Sequence, residues 1–382
     1  MLTAPKRLLY GPGPSMVEAR VYQALAQPVV GHLDPFFFEV AEAVRAGLRR
    51  VFGTSNRMTL AVSGTGTAGM EAAVANLIEP GDKVAVFVCG YFCERLADMA
   101  RRHGGEVVRF EKPWGEAVSD EEARQFIMRE RPRIVAFVQA ETSTGLYTPG
   151  KTICDAAHEV EAIVIGDCVT SLGAMPAEVD KNGIDFAYSC TQKGLSCPPG
   201  LSPITVSGRA LERIRARRRP VDSFYLDLKL LEDYYDGRKY HHTASSSLLY
   251  ALREALAAIE EEGLERRWER HRRHHLELVR GFEALGMRML VPEGRRLWNL
   301  NTPRVPQGVD EPAVRRHLLE RDSIEIAGGF GPLAGKIFRV GLMGPVATAE
   351  GVRSFLDAFG RALRDAGGYT PSTASASPTT TR

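Results

Sequence analysis

The sequence predicts an α/β protein with a large domain built on a central, mostly parallel sheet of seven strands, plus a smaller α+β domain at its C-terminal end. Two patterns carry this prediction. Between residues 16 and 205, continuous apolar runs of four to seven residues alternate with helical stretches, which is typical of strands buried on both faces. After residue 245, apolar residues spaced three and four apart indicate long helices instead.

The predicted strands of the large domain are short apolar runs bounded by polar or turn residues. They are Met58–Ser63, Lys83–Cys89, Val107–Phe110, Arg133–Val138, Ala162–Gly166, Phe186–Ser189 and Pro203–Val206. The helices predicted between them are Gly66–Ile78, Phe92–His103, Asp120–Arg131 and Lys151–Val160. This order is typical of helices that cover a buried sheet.

The domain boundaries follow from changes in residue pattern. Residues 1–15 are predicted to be a turn-rich N-terminal extension with the segment GPGPS, and residues 16–258 the large domain. Residues 259–366 form the small domain, with a helix at Glu311–Arg321. Residues 367–382 are rich in Gly, Ser, Thr and Pro, and this composition predicts a disordered tail.

One helix of the small domain has apolar positions on one face and many arginines elsewhere. The apolar face is marked by Leu264, Trp268, His275, Val279 and Phe282, and the basic residues are Arg266, Arg267, Arg270, Arg272 and Arg273. Such a basic run either binds an acidic partner or is a solvated helix face, and the pattern favours the solvated face.

The composition excludes several classes of protein. The 382 residues include 49 Lys and Arg against 47 Asp and Glu, and a formal charge of +2 gives no basis for binding nucleic acid or an acidic membrane surface. No run reaches the ~20 apolar residues of a membrane span, and the N-terminus lacks the ~7–15-residue apolar core of a secretory signal. We therefore expect a cytoplasmic enzyme.

The six cysteines all lie between Cys89 and Cys197, and they are too few for a disulfide scaffold. Cys89 and Cys93 have a spacing seen in some metal sites, but no paired Cys or His motif follows them. Buried or free thiols in a reducing compartment are the favoured interpretation, and no metal is expected.

A glycine-rich loop follows the first strand of the predicted sheet. Gly64, Gly66 and Gly69 fit the pattern G-x-G-x-x-G, and Asp82 follows at about the spacing of the dinucleotide fingerprint. The pattern alone leaves three hypotheses open: a nicotinamide site, a phosphate bound at a helix N-terminus, or a tight turn. The hydroxyl residues of the loop, which suit a phosphate, are Ser63, Thr65 and Thr67.

An acid and a lysine follow two later strands. Asp167 ends the strand Ala162–Gly166, where open α/β sheets bind ligands. Lys193 follows the strand Phe186–Ser189, and burying an ammonium there is costly unless the amine is used. A Schiff-base lysine and an acid at the pyridine nitrogen are the two groups that pyridoxal 5′-phosphate (PLP) needs. Together with a phosphate loop, they predict a PLP site.

Collinear segments from residue 11 to about residue 364 resemble the class V (fold type I) PLP-dependent aminotransferases, specifically the alanine–glyoxylate and serine–glyoxylate (serine–pyruvate) group. The segments include GPGPS, SGTGTAGMEAA, EPGDKV, ETSTG, GDCVTSLG, GIDFAYSCTQK, YLDL, YHHT, ALREAL and GPLAGKIFRVGLMG. The resemblance implies the large PLP-binding domain and small domain of that family, and a homodimer with shared active sites.

Within these segments the resemblance implies roles for single residues. Lys193 would form the Schiff base, and Asp167 would bind the pyridine nitrogen. Arg339 would bind the substrate carboxylate, which a planar guanidinium recognises through two hydrogen bonds, and Gly13 would contact the substrate. The other implied cofactor contacts are Thr65, Gly66, Thr67 and Gln192 at the phosphate, Phe92 and Val169 on the ring faces, Thr142 at the ring hydroxyl, and Tyr240 and Thr243 from the neighbouring subunit.

Some positions depart from the family pattern or separate its members. Cys190 replaces a small residue, residues 245–247 are unusually polar, and residues 298–301 replace an apolar run, so the substrate pocket could differ. His32 and Tyr240 resemble the alanine and serine enzymes, because ureidoglycine–glyoxylate aminotransferase has Gln and Asn there. A loop histidine explains His32 equally well, and a solvated polar loop is the alternative for the segment around Tyr240.

The sequence thus predicts a PLP-dependent aminotransferase that moves the amino group of a small L-amino acid, alanine or serine, to glyoxylate or pyruvate by a ping-pong mechanism. A transaminase with another donor, such as ureidoglycine or a specialised-metabolism substrate, is the alternative. Three other classes fit less well. A nicotinamide oxidoreductase rests only on the glycine loop, a PLP desulfurase needs a cysteine after residue 197, and a non-enzymatic regulator lacks a DNA-binding module.

Overall fold

The computed structural model describes residues 3–366 and 368–369. Its strands are β1 (Leu8–Leu9), β2 (Met58–Ser63), β3 (Lys83–Val88), β4 (Glu106–Glu111), β5 (Ile134–Val138), β6 (Ala140–Glu141), β7 (Leu146–Tyr147), β8 (Ile163–Asp167), β9 (Phe186–Tyr188), β10 (Leu201–Val206), β11 (Leu300–Asn301), β12 (Ile324–Glu325), β13 (Ala327–Gly328) and β14 (Phe338–Gly341). Its α-helices are α1 (Ala19–Leu25), α2 (Pro35–Phe52), α3 (Gly66–Leu77), α4 (Tyr91–Arg102), α5 (Asp120–Glu130), α6 (Lys151–Glu159), α7 (Val179–Asn182), α8 (Gly208–Arg215), α9 (Leu228–Gly237), α10 (Ser246–Glu262), α11 (Leu264–Ala284), α12 (Glu311–Arg321) and α13 (Ala349–Asp365). None of these helices combines the length and the apolar character that crossing a bilayer requires.

Seven of the strands form the central sheet, in the order β2-β10-β9-β8-β5-β3-β4. The sheet is parallel except for β10, which is antiparallel to both of its neighbours. Every residue of β5 and β8 is buried, because these central strands are covered on both faces. The predicted fold class, with seven mostly parallel strands, is confirmed.

The carboxyl ends of the parallel strands bring distant residues together. Asp167 is the last residue of β8, where it pairs with Tyr188 of β9 and Val138 of β5. Lys193 lies in the loop between β9 and β10. Since parallel strands end at one edge of the sheet, the acid and the lysine reach the same crevice.

A second apolar core lies at the C-terminal end of the chain. It is formed by the last turns of α11, by α12, α13 and β14, and by Tyr10 from near the N-terminus. Helix α10 packs against the first core, and the domain boundary at residue 259 within it stays a prediction. Of the predicted tail, Tyr369 donates a hydrogen bond to Leu285 O (2.7 Å), and residues 367 and 370–382 lie outside the described residues.

Helix α2, which is 18 residues long, was not among the predicted elements. The Asp34 side chain accepts a hydrogen bond from the Phe36 N–H (2.8 Å), and Pro35 occupies the first turn. Gly53 ends the helix with φ of 67°, a conformation that favours glycine. These are ordinary start and stop signals for a helix, so this segment was predictable.

The N-terminal extension is more regular than predicted. Leu8 and Leu9 form strand β1, which runs parallel to β12. The Gly341 N–H donates to Tyr10 O (2.7 Å), and the Ser15 N–H donates to Gln192 O (2.8 Å). Residues 8–15 therefore connect the second core with the loop that carries Lys193.

The basic helix α11 fits neither sequence interpretation as a whole. Arg267 is buried, and its Nε and Nη2 donate to Gly173 O and Gly194 O (2.9 Å each), while Nη1 donates to Glu262 (2.8 Å). Arg270 donates to two carbonyls that follow β14. The solvated-face prediction is wrong for these two arginines, because their acceptors come from loops distant in the sequence.

Candidate active site

A cavity of about 280 Å³ opens at the carboxyl ends of the parallel strands. Most of the predicted site residues line it: Gly13, Thr65, Gly66, Thr67, Phe92, Thr142, Asp167, Val169, Gln192 and Lys193. Arg339 lines a second cavity that shares Gly13, Phe92, Thr142 and Lys193 with the first. Tyr240 and Thr243 line neither cavity.

Lys193 is buried between the N-terminal extension and the sheet. Its Nζ donates to Pro12 O (2.7 Å) and to Thr142 Oγ1 (3.3 Å). Burial lowers the pKa of Lys193, which favours the neutral, nucleophilic amine. Gly13 has φ of 116°, and a Cβ there would lie 3.2 Å from Lys193 Cγ. Glycine at this position lets the backbone pass close to the lysine.

Asp167 lies at the inner end of the cavity with two hydrogen-bond donors. Oδ1 accepts from the Val169 N–H (2.8 Å), and Oδ2 accepts from the Tyr188 hydroxyl (2.8 Å). Burial raises the pKa of Asp167 to about 7. Within the described chain no cation forms a salt bridge with this carboxylate, so a cationic group of a ligand would hold it ionised.

The glycine loop presents a helix N-terminus to the cavity. Thr65 precedes α3 without capping it through its side chain, and the N–H groups of Gly66 and Thr67 lie in the first turn, where a helix offers no acceptor. A Cβ on Gly66 would lie 3.1 Å from Cys190 Cβ, so the loop lies against the cavity wall. Gln192 Oε1 is buried and has no hydrogen-bond partner among the described residues. The N–H groups of this first turn are arranged to bind an anion, and Gln192 can donate to it only through its amide nitrogen.

Asp82 does not belong to this site. Its carboxylate accepts from the Arg213 side chain and from the Glu79 N–H (2.7 Å), within the turn before β3. The acid that a dinucleotide would need at its ribose is therefore used in a turn. The nicotinamide interpretation of the glycine loop is wrong for this physical reason.

Arg339 lies on β14 with its guanidinium group facing the second cavity. Nε donates to Gly328 O (2.6 Å), which is the one hydrogen bond of this side chain among the described residues. The guanidinium carbon lies 3.9 Å from the centre of the Phe330 ring. Burial lowers the pKa of Arg339 to about 10, so the group stays charged at neutral pH. The free Nη groups can bind a carboxylate.

Two supports of the cavity were not predicted. Glu141 Oε2 accepts from the N–H groups of Phe92 (3.0 Å) and Cys93 (3.1 Å), so this buried carboxylate caps α4 and holds the backbone of Phe92. Asn299, from the polar run that departs from the family pattern, donates to Thr170 O (2.6 Å). Glu141 is the first residue of the ETSTG segment, which resembles the family, but no sequence pattern indicates which group it binds.

Tyr240 and Thr243 lie on the surface, outside the cavity of their own chain. Tyr240 is 65% exposed, and its ring centre lies 5.3 Å from that of His32. His242 Nε2 lies 3.4 Å from Ser63 Oγ, so the segment passes near the strand that leads into the glycine loop. The predicted roles of Tyr240 and Thr243 at a neighbouring active site stay predictions.

The residues present fit PLP. The cavity has an anion site at the start of α3, a buried lysine in its wall and a buried acid at its inner end. Phe92 and Val169 both line it, and flat apolar contacts of this kind suit an aromatic ring. The unpartnered amide oxygen of Gln192 marks a place where a polar ligand group is expected.

The chain is similar to known proteins over nearly its whole length. The family model "Aminotransferase class-V" matches residues 16–350. Alanine–glyoxylate aminotransferase of Drosophila melanogaster is 40% identical, over 95% of this chain and 94% of that protein. (S)-Ureidoglycine–glyoxylate transaminase of Bacillus subtilis is 39% identical, over 92% and 89%. The crystal structure of alanine–glyoxylate aminotransferase from Nostoc sp. matches with a TM-score of 0.94 and 48% identity, and covers 95% of this chain and 97% of that chain.

Proposed function

This chain belongs to the class-V aminotransferases, which depend on PLP, and on that basis we propose that it transfers the amino group of alanine or serine to glyoxylate or pyruvate. One observation carries the proposal: Lys193 and Arg339 line the same cavity of about 300 Å³. A reactive amine and a guanidinium that can bind a carboxylate thus face one small space. This space suits an amino acid with a short side chain.

The side chains of the cavity divide the work of the reaction. Bound PLP supplies the electron sink that stabilises negative charge at the substrate Cα. Lys193 Nζ, with its lowered pKa, takes the proton from Cα as a general base and returns a proton as an acid. Arg339 binds the substrate carboxylate and so orients Cα, while Asp167 keeps a negative charge at the inner end of the cavity. Donor and acceptor occupy the same space in turn, which gives ping-pong kinetics.

A half-reaction panel tests the donor. The purified holoenzyme is mixed separately with alanine, serine, (S)-ureidoglycine and other amines, and loss of the visible absorbance of the Lys193-bound cofactor is followed. Alanine or serine should react fastest, and glyoxylate or pyruvate should restore the absorbance. A response to (S)-ureidoglycine alone would replace the proposed donor, and a response to no amino donor would contradict the proposal.

A homodimer with shared active sites is part of the proposal. Large apolar side chains are exposed in two segments that approach each other through the His32 and Tyr240 rings. They are Tyr22, Val29, Leu33, Phe36, Phe224, Tyr225 and Tyr240. His32 Nε2, His241 Nδ1 and His242 Nδ1 are buried without hydrogen-bond partners among the described residues. An apolar patch next to unpartnered polar atoms supports a protein interface, and isologous pairing would carry Tyr240 to the partner's cavity.

Complementation between two defective chains tests the shared site. One chain carries Lys193→Ala, and the other carries Tyr240→Ala with Thr243→Ala. A mixed dimer has one site with both defects and one with neither, so activity should recover toward half that of the wild-type dimer. Heterodimers that are detected by mass but recover no turnover would show that each site is self-contained.

The cysteines support a cytoplasmic location as a further part of the proposal. All six are buried free thiols, and Cys89 Sγ lies 3.8 Å from Cys93 Sγ. Within the described residues, no group of three or more His, Cys, Asp or Glu side chains is arranged to bind a metal. Unpaired thiols are typical of reducing compartments.

A further inference from the structure

The predicted phosphate site at the start of α3 contains only neutral groups. A phosphate monoester carries a charge of about −1.5 to −2 at pH 7, and a helix N-terminus supplies about half a positive charge. The predicted contacts Thr65, Gly66, Thr67 and Gln192 add none. His242, near the strand before this loop, has its pKa lowered to about 4 by burial and stays neutral at pH 7. The charge of the phosphate needs a cation from elsewhere.

Arg95 supplies a cation at this place. It lies on α4, one turn after Phe92, and lines the main cavity beside Thr65 and Gly66. Its Nη1 donates to Thr67 Oγ1 (3.2 Å). Because the Thr67 oxygen accepts from the guanidinium, its own hydroxyl proton is free to donate to an anion. Arg95 and Thr67 therefore present donors to the same point.

The guanidinium of Arg95 is oriented but not neutralised. Its carbon lies 5.0 Å from the centre of the Phe92 ring and 5.3 Å from that of Tyr91, so aromatic faces hold it. Among the described residues Arg95 forms no salt bridge, whereas the acids next to it on α4 are paired with other arginines. Its positive charge is available to a ligand.

We propose that Arg95 binds the phosphate group of PLP, together with Thr67 and the first turn of α3. The inference rests on the proposed function, which requires a PLP site. It assigns to Arg95 a role in keeping the cofactor bound when the cofactor carries the amino group. In that form no covalent bond to Lys193 exists, so the phosphate contacts determine how fast the cofactor is lost.

Binding of two ligands that differ only in the phosphate tests the proposal. Apoprotein is titrated with pyridoxamine 5′-phosphate and, separately, with pyridoxamine, and binding is measured by calorimetry for the wild type, Arg95→Gln and Arg95→Lys. Arg95→Gln should weaken binding of pyridoxamine 5′-phosphate about 10- to 100-fold, the range for a charge-assisted hydrogen bond. Binding of pyridoxamine should change by less than a factor of about 3. Arg95→Lys keeps the charge and should lie between.

Arg102→Gln is the matched control, since this arginine lies on the same helix, is exposed and pairs with Asp98. It should bind both ligands as the wild type does. Equal losses for both ligands in Arg95→Gln would show a packing role through Phe92 and overturn the proposal, as would no loss for either. If Arg95→Gln does not fold, Arg95→Lys decides, and equal losses for both ligands in that variant overturn the proposal as well. A wild type that binds neither ligand contradicts the proposed function itself.

Discussion

Two buried arginines in this chain differ in what their guanidinium groups bind. Arg267 on α11 is 3% exposed and Arg339 on β14 is 4% exposed. Arg267 donates from all three nitrogens, to Gly173 O, Gly194 O and Glu262. Arg339 donates to one carbonyl within the described chain and turns its remaining donors to a cavity. Burial alone therefore does not identify an arginine that binds a ligand. The number of acceptors that the fold already provides for its guanidinium group distinguishes the two cases.

The difference separates two kinds of mutational effect. Removing a cavity residue with unsatisfied groups should cost chemistry or binding but little stability, because the fold does not use those groups. Removing Arg267 should cost stability, because it leaves two buried carbonyls without a donor. The following predictions test that separation, from the largest expected effect to the smallest.

Lys193→Ala should abolish turnover and the covalent attachment of PLP. Burying this amine is unfavourable for its charged form and offsets its two hydrogen bonds, so the free energy of unfolding should change by less than about 1 kcal/mol. Borohydride reduction followed by mass measurement detects the attached cofactor, and urea titration measures stability. The exposed Lys151→Ala is the control and should behave as wild type. A variant that keeps reducible cofactor and turnover would contradict the assignment of Lys193.

Asp167→Asn should lower turnover sharply and leave the fold intact, because a neutral amide cannot hold a proton at the pyridine nitrogen. Tyr188→Phe removes one hydrogen bond to the same carboxylate but keeps its charge, so its effect should be much smaller. Both are measured as single-turnover rates with the preferred donor. Rates of Asp167→Asn within a factor of ~3 of wild type, about 0.6 kcal/mol, would show that the acid is not the partner of the cofactor.

Arg339→Gln should raise the KM for the amino donor about 10- to 100-fold, the range for a lost charge-assisted hydrogen bond. The midpoint of thermal unfolding should stay near that of the wild type. Steady-state kinetics and a melting curve on the same preparation give both values. An unchanged KM together with a large loss of stability would place Arg339 in the same class as Arg267.

Arg267→Met should lower the free energy of unfolding by about 3 kcal/mol, since two buried carbonyls lose their donor and Glu262 keeps only Arg270 as a partner. The KM for the amino donor should change less than in Arg339→Gln. The exposed Arg266→Met, its neighbour on the same helix, should change stability by no more than about 0.5 kcal/mol. Equal stability of the two variants, measured by urea titration, would remove the distinction between the two arginines.

Stability should also fall in acid through His271, next to this network. Burial lowers the pKa of His271 to about 3, and its Nε2 accepts from the Gly344 N–H (3.2 Å), which requires the neutral ring. Between pH ~6.5 and that pKa the unfolded chain binds a proton that the folded chain does not. At pH 5 the loss relative to pH 7.5 is about 2 kcal/mol. His271→Gln should flatten urea stability against pH by this amount, and an unchanged slope would contradict the role.

The sequence was sufficient for the sheet and for the acid and lysine at its edge. Apolar runs predict buried strands wherever the chain has to fill a two-sided sheet, and strand ends then locate Asp167 and Lys193. Helix α2 was also within reach, because the caps at Asp34 and Gly53 are local signals. A single sequence shows such local signals directly, because the residues that form them are neighbours in the chain.

Other features depend on partners far away in the chain. The two carbonyls that accept from Arg267 precede it by 73 and 94 residues in the sequence. No spacing rule could therefore separate Arg267 from the exposed Arg266. The same limit applies to Glu141, which accepts from the Phe92 N–H, and to Tyr188, which donates to Asp167. Both residues lie in segments that resemble the family, yet only the fold shows these contacts.

The N-terminal extension has a consequence for the order of events during synthesis. Ser15 Oγ donates to Lys193 O (2.8 Å), in the middle of the chain, whereas Tyr10 O accepts from the Gly341 N–H, a residue made much later. At about 5–20 residues per second, the ribosome needs roughly 15 to 65 s to advance from residue 15 to residue 341. Within that interval Ser15 can reach its partners at Gln192 and Lys193 first, but Tyr10 must wait for Gly341 until its end. The pocket is thus completed only once β14, with Arg339 and Gly341, has been made, even though the strands of the large sheet can pair earlier.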